Sequence, residues 1–137
     1  MRAILFPASL LRSSVNFAGG LIMSRIVIAA YRPRPGQERA LEALMRRHHQ
    51  RLYHDGLVAD RPLTLMRARD GTMIEQFEWL SREAETAARA SRPIQQLRAE
   101  YPPLCDRVPL GDTIETHGLQ SEFDSIEDCA LHPEFSP

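Results

Sequence analysis

Three of the chain's five histidines fall within seven residues, in the stretch "RRHHQRLYHDGLVADRP" from Arg46 to Pro62. Clustered imidazoles raise metal binding first. His48 and His49 are adjacent, and on a helix they point about 100° apart, too far to share one ion. His49 and His54 are five apart, a poorer chelate than a spacing of four, and no HExxH or cysteine-containing companion is present. The spacing therefore predicts no metal site, and His49 and His54 are expected on a solvated helix surface. His48 differs because it falls in an apolar stripe with Leu41, Leu44, Met45 and Leu52, at helical offsets. A histidine there is either a hydrogen-bonded core residue or a group facing a pocket, where burial lets it act as a base near neutrality.

Glu75 poses the same alternatives. It shares a strand face with Met73, Phe77 and Trp79, and a carboxylate among such residues is costly unless paired. Either an arginine or the sheet rim satisfies it, or it is a pocket acid paired with His48. Trp79 is a core residue or a flat wall for a planar ligand. Phosphate-binding loops, GxSxG and Cys-His pairs are absent, and Cys105 has no neighbour in sequence that would make it a nucleophile.

These residues need elements to hold them. "RIVIAAYR" (25–32) reads as a strand covered on both sides. A helix is expected from Gln37 to Asp55, ended by Gly56. "PLTLMRA" (62–68) and "TMIEQFEW" (72–79) flank Asp70-Gly71, a hairpin signal. A two-residue loop there would pair Arg69 with Thr72 and put Thr64, Met66 and Ala68 on the face of Glu75, leaving Leu63, Leu65 and Ile74 on the other. Ser81 can cap a second helix running to about Ala90, Pro93 suits the first turn of a third, and "DRVPL" (106–110) reads as an edge strand. "EFDSI" (122–126) could be an arm reaching onto a partner. The order β-α-β-β-α-β is that of an α+β, ferredoxin-like split βαβ protomer. Helices cover one side of such a sheet, and a second copy is the simplest cover for the other.

Length, composition and charge set the remaining bounds. The chain has 137 residues, 43% hydrophobic and 26% charged, with a net charge of −1, which suits one globular domain. So balanced a charge excludes a field that gathers nucleic acid or anionic lipid, and "RRHHQR" lacks interleaved aromatics for stacking bases. Two distant cysteines, Cys105 and Cys129, suggest free thiols in a reducing compartment, so the expected location is cytoplasmic. Residues 1–22 contain no acid. Pro7 and Arg12 interrupt a signal-peptide reading, and the apolar run is too short to span a membrane. The expectation is a leader over 1–22, a domain over 23–127 and a tail over 128–137.

"YRPRPGQERALEALMRRH", "GLVADRP", "DGTMIEQFEW" and "CDRVPL" together resemble an uncharacterised branch of the dimeric α+β barrel superfamily, near the antibiotic-biosynthesis-monooxygenase (ABM) domains. The resemblance spans roughly Arg25 to Ile126. It implies a homodimer with sheets face to face and a helix–sheet pocket in each protomer. It also implies a cofactor-independent oxygenase chemistry, in which an electron-rich phenol is deprotonated and its anion reduces O₂. The histidine that binds haem in some relatives falls on Ala88, and a later one near Arg92-Pro93, so no cofactor is implied. On this reading an enzyme would be a cofactor-independent oxygenase or isomerase with His48 as base and Glu75 orienting it, and Met45, Met66, Phe77 and Trp79 would line the pocket around a small apolar or aromatic molecule. A reading of another class makes the chain a non-catalytic dimeric small-molecule binder or structural module, with His48 and Glu75 as satisfied core groups.

Overall fold

The computed structural model describes residues 24–126. The expected leader and tail lie outside the described residues. Within them, β1 (Arg25–Pro33) leads through Gly36, which has a positive φ of 82°, into helix α1 (Glu38–His54). Leu41, Leu44, Met45, His48 and Leu52 form its buried stripe, as the offsets required, and His49 joins them. Gly56, with φ 73°, lets the chain turn back after the helix. Strands β2 (Thr64–Arg67) and β3 (Met73–Trp79) follow, then α2 (Arg82–Ala90), α3 (Arg92–Arg98) and β4 (Cys105–Val108). Ser81 Oγ accepts from the Ala84 amide and caps α2, and Ser91 Oγ does the same for Ile94 in α3. Two short 3₁₀ turns, Leu110–Asp112 and Ile114–His117, precede β5 (Asp124–Ser125).

The five strands form one antiparallel sheet in the order β4-β1-β3-β2-β5. The architecture is α+β, and its first four strands are ordered consistently with a ferredoxin-like fold. The segment around Glu122 to Ile126 pairs with this chain's own β2, Met66 opposite Ser125 and Arg67 opposite Asp124. It therefore extends the protomer's sheet, where an arm onto a partner was expected.

The hairpin register differs from expectation by one residue. Thr64 faces Gln76, Leu65 faces Glu75 and Met66 faces Ile74. The cause is the turn: Ala68 N–H donates to the Thr72 carbonyl and Gly71 N–H to that of Ala68, so Arg69, Asp70 and Gly71 form a three-residue loop. Gly71 supplies a φ of 93°, and Asp70 Oδ1 accepts the Thr72 amide at 2.9 Å. A one-residue slip turns every β2 side chain to the other face. Leu65 is thereby 2% exposed in a cluster with Leu41, Met45 and Met73 beneath the helices, with Leu63 packed against it. Met66 instead lies on the outer face with Ala30, Ala68 and Ile74.

That outer face is covered in part. Val108, Leu110 and Phe123 pack against it from the chain's last third. Ile26 and Ile28 remain 63% and 47% exposed on β1. No helix among the described residues is long and apolar enough to cross a membrane.

Candidate functional site

Alternation along the two central strands sets one wall. Val27, Ala29 and Tyr31 of β1 and Glu75, Phe77 and Trp79 of β3 turn toward the helices, where α1 brings His48 and α3 brings Arg98. Tyr101, after α3, and Arg107, on β4, complete a cavity of about 270 Å³, with Glu85 of α2 also on its lining. This is near the lower end of small-molecule sites and suits one or two rings.

Its walls are largely aromatic. Tyr31 and Tyr101 lie 5.2 Å apart, tilted by 31°, and Phe77 meets Trp79 edge to face at 5.2 Å. The Phe77–Trp79 pair is the favoured edge-to-face arrangement, and the Tyr31–Tyr101 rings are in contact at an intermediate tilt. The Arg107 guanidinium stands 5.8 Å from the centre of the Tyr31 ring.

Glu75 is the buried acid of the site, 2% exposed. Tyr31 donates its hydroxyl to Glu75 Oε2 at 2.9 Å, whereas Oε1 is buried without a hydrogen-bond partner among the described residues. Burial pushes the Glu75 carboxyl up to about 7, against the opposing pull of the Tyr31 hydrogen bond and the Arg107 and Arg98 charges. The same burial, with the Glu75 carboxylate nearby, raises the Tyr31 and Tyr101 phenols well above their ordinary range. Tyr101 Oη is also buried without a partner among the described residues.

His48 is 5% exposed and does not pair with Glu75. Its Nε2 accepts from Arg98 Nε at 3.1 Å, and its ring meets Tyr101 edge-on at 5.9 Å. Burial, followed by the Arg98 charge, lowers its pKa to about 4. It is therefore a neutral acceptor at pH 7, a poor starting point for a general base. The expected His48–Glu75 couple is replaced by two pairs, His48 with Arg98 and Glu75 with Tyr31.

The remaining sequence expectations divide. Phe77 and Trp79 line the cavity, but Met45 is fully buried in the core beside it and Met66 is on the opposite sheet face. His54 is exposed and contacts Asp55 at 3.2 Å. His49 is 9% exposed and sits edge-on to Phe77 at 5.9 Å, which corrects its assignment to the solvated surface. Burial lowers its pKa as well. The signal was available: His49 lies four residues after Met45 and three before Leu52, inside an apolar stripe that is ordinarily more than 100° wide.

Tyr31 was hidden in an apolar run whose alternation is invisible when both faces are greasy. Tyr101, Arg98 and Arg107 reach the cavity through the placement of α3 and β4, which local spacing does not encode. The Cys105 thiol is buried and donates to the Tyr101 carbonyl at 3.4 Å, and burial pushes its pKa up, away from nucleophilic use. No group of three or more His, Cys, Asp or Glu among the described residues could hold a metal ion.

No protein-family model matches the chain, and no curated protein matches it. Among solved structures it is similar to Rv0793 from Mycobacterium tuberculosis, with 26% sequence identity and a TM-score of 0.53. The match covers 63% of this chain and 87% of that one, and it supports a small α+β fold.

Proposed function

We propose that the chain is an ABM-like protein of the dimeric α+β barrel type that holds a small aromatic molecule between helices and sheet and acts as a cofactor-independent monooxygenase. One observation carries this reading. Glu75 Oε1 and Tyr101 Oη are buried polar atoms without partners among the described residues, and both residues line one aromatic-walled cavity. Unsatisfied buried polar atoms are costly, and a functional role accounts for them. A phenolic ligand stacked among the rings would give its hydroxyl to Glu75.

The chemistry follows from the pKa. A carboxyl near 7 is matched to taking a proton at neutral pH, and Glu75 is the better candidate base because His48 has its Nε2 occupied. The phenolate formed is the electron donor to O₂ in this reading, so the protein's part is to bind, exclude water and hold the proton on Glu75. His48 then serves to position Arg98. A homodimer packed through the outer sheet face would cover Ile26 and Ile28, and the buried Cys105 thiol suits the reducing bacterial cytoplasm that this reading assumes.

A non-catalytic binder has one observation in its favour: His48, hydrogen-bonded to Arg98, is a satisfied core histidine. Two measurements separate the readings. Native mass spectrometry of the purified protein should show a co-purifying aromatic molecule on a dimer. Oxygen uptake with hydroquinone and naphthol substrates should rise with pH through about 7 and be abolished in Glu75→Gln. Ligand binding without oxygen uptake would favour the binder, and no aromatic ligand at all would overturn both.

A further inference from the structure

The two guanidiniums on the cavity lining, Arg98 and Arg107, form no ion pair among the described residues. Arg98 gives its Nε to a neutral imidazole, which accepts a hydrogen bond but offers no countercharge, and Arg107 lies beside the Tyr31 ring. Of the cavity's two carboxyl groups, Glu85 is 3.1 Å from Arg89. Glu75 accepts the Tyr31 hydroxyl and feels the Arg107 and Arg98 charges only at a distance, forming no ion pair with either.

Position adds to composition. Arg107 is exposed and Arg98 half-buried, whereas Glu75 is at the buried end. The more exposed lining thus carries two unpaired guanidiniums beside Glu85, which pairs with Arg89, while the walls are aromatic and the buried acid is Glu75. A guanidinium whose Nε is already used still has its terminal N–H groups, and these match the planar oxygens of a carboxylate.

We infer that the ligand is an aromatic acid, a one- or two-ring phenol whose carboxylate is held by Arg98 and Arg107 while its hydroxyl points to Glu75. The inference rests on the aromatic-pocket reading above and narrows it to a ligand class. His48 becomes a specificity-positioning residue, since its Nε2 fixes the direction of the Arg98 guanidinium. Neutral phenols of the same shape would leave both guanidiniums without a directly bonded carboxylate.

The test compares matched acids and amides on the full chain: 4-hydroxybenzoate and 6-hydroxy-2-naphthoate against their primary amides. Trp79 is the chain's only tryptophan and lines the cavity, so its fluorescence reports occupancy directly. At pH 7 and fixed ionic strength, at least one acid should bind tenfold or more tightly than its amide, equivalent to about 1.4 kcal/mol. The preference should fall below threefold in Arg98→Gln and in Arg107→Gln. It should persist in Arg47→Gln, which removes an equal charge from a residue paired with Glu100 outside the cavity lining. Equal binding of acid and amide would overturn the inference and leave the aromatic pocket standing, as would an equal loss in Arg47→Gln. Binding by none of the four probes would overturn the inference and the pocket reading together. Should Arg98→Gln not fold, the acid–amide comparison on the unmodified chain and the Arg107→Gln result still decide the matter.

Discussion

Tyr31 and Glu75 are diagonal neighbours on adjacent antiparallel strands, with Ala29 opposite Glu75 and Tyr31 opposite Met73, and the Tyr31 hydroxyl donates to the Glu75 carboxyl at 2.9 Å. The strand register alone therefore builds half of the site. Cross-strand diagonals are within reach of long aromatic side chains, so the phenol spans the step and meets the carboxyl beneath the helices. It also leaves the second carboxyl oxygen without a partner among the described residues.

Tyr31→Phe should raise the Glu75 pKa above about 7, because the hydrogen bond it removes favours the ionised carboxylate. At pH 8, where Glu75 is mostly charged, the variant should lose roughly 1–3 kcal/mol of stability. At pH 5 the loss should be smaller, since the carboxyl is then neutral. The carboxyl carbon shift of Glu75, followed by NMR across pH, reports the midpoint. An unchanged midpoint would mean that Tyr31 does not govern the acid.

His48 and Glu75 should pull the pH dependence of stability in opposite directions. The pKa of His48 falls from an ordinary 6.5 to about 4 on folding, so between these values the unfolded chain binds more protons and stability drops as pH falls. The pKa of Glu75 rises from 4.5 to about 7, so its contribution is fully present below 4.5 and is lost as pH rises through 7. Across roughly pH 4.5–6.5 each slope is at most about 1.4 kcal/mol per pH unit, and the two offset. His49, shifted in the same direction as His48, tilts the balance slightly toward acid lability. Glu75→Gln should therefore become steeply acid-labile, whereas His48→Gln should lose stability toward neutral pH. Urea melts at half-unit pH steps check both; parallel curves for the two variants would contradict the assignment.

The sequence made the element order legible, because periods of 3.6 and 2 and the Asp70-Gly71 signal are local. It did not give the β2 facing, which depends on whether the hairpin loop holds two residues or three. That choice rests on the Asp70 and Gly71 backbone, which side-chain patterning does not reveal. The slip moved Leu65 and Met66 to opposite faces, which is why Met66 is absent from the cavity. Glu75, Phe77 and Trp79 were readable because alternation within one strand survives any register error. Tyr101, Arg98 and Arg107 were not, since their meeting point is made by packing.

The three opening histidines should separate by environment. His54→Ala should stay within about half a kcal/mol of the parent, as surface substitutions usually do. His48→Ala should cost roughly 1–3 kcal/mol, because the Arg98 Nε loses its acceptor. His49→Ala should also destabilise, through lost packing against Phe77, with no change in acid-over-amide ligand preference. Thermal melts together with Trp79 titrations distinguish the three, and a silent His49 would show that its burial contributes little.

Ile28 and Leu65 should respond differently to the same charge. Leu65 lies under the helices at 2% exposure, so Leu65→Asp buries a carboxylate in the core at a cost of several kcal/mol, roughly, and should unfold the protomer. Ile28 is 47% exposed on the outer face, so Ile28→Asp leaves the protomer's own core intact. If two copies pack through that face, the symmetry places the new charge in the interface twice, near its own counterpart. The expected result is a folded monomer, with unchanged far-UV circular dichroism and half the parent mass by sedimentation velocity. A variant that keeps the parent's mass and stability would place the dimer contact elsewhere, and Ile26 and Ile28 would then be ordinary exposed side chains.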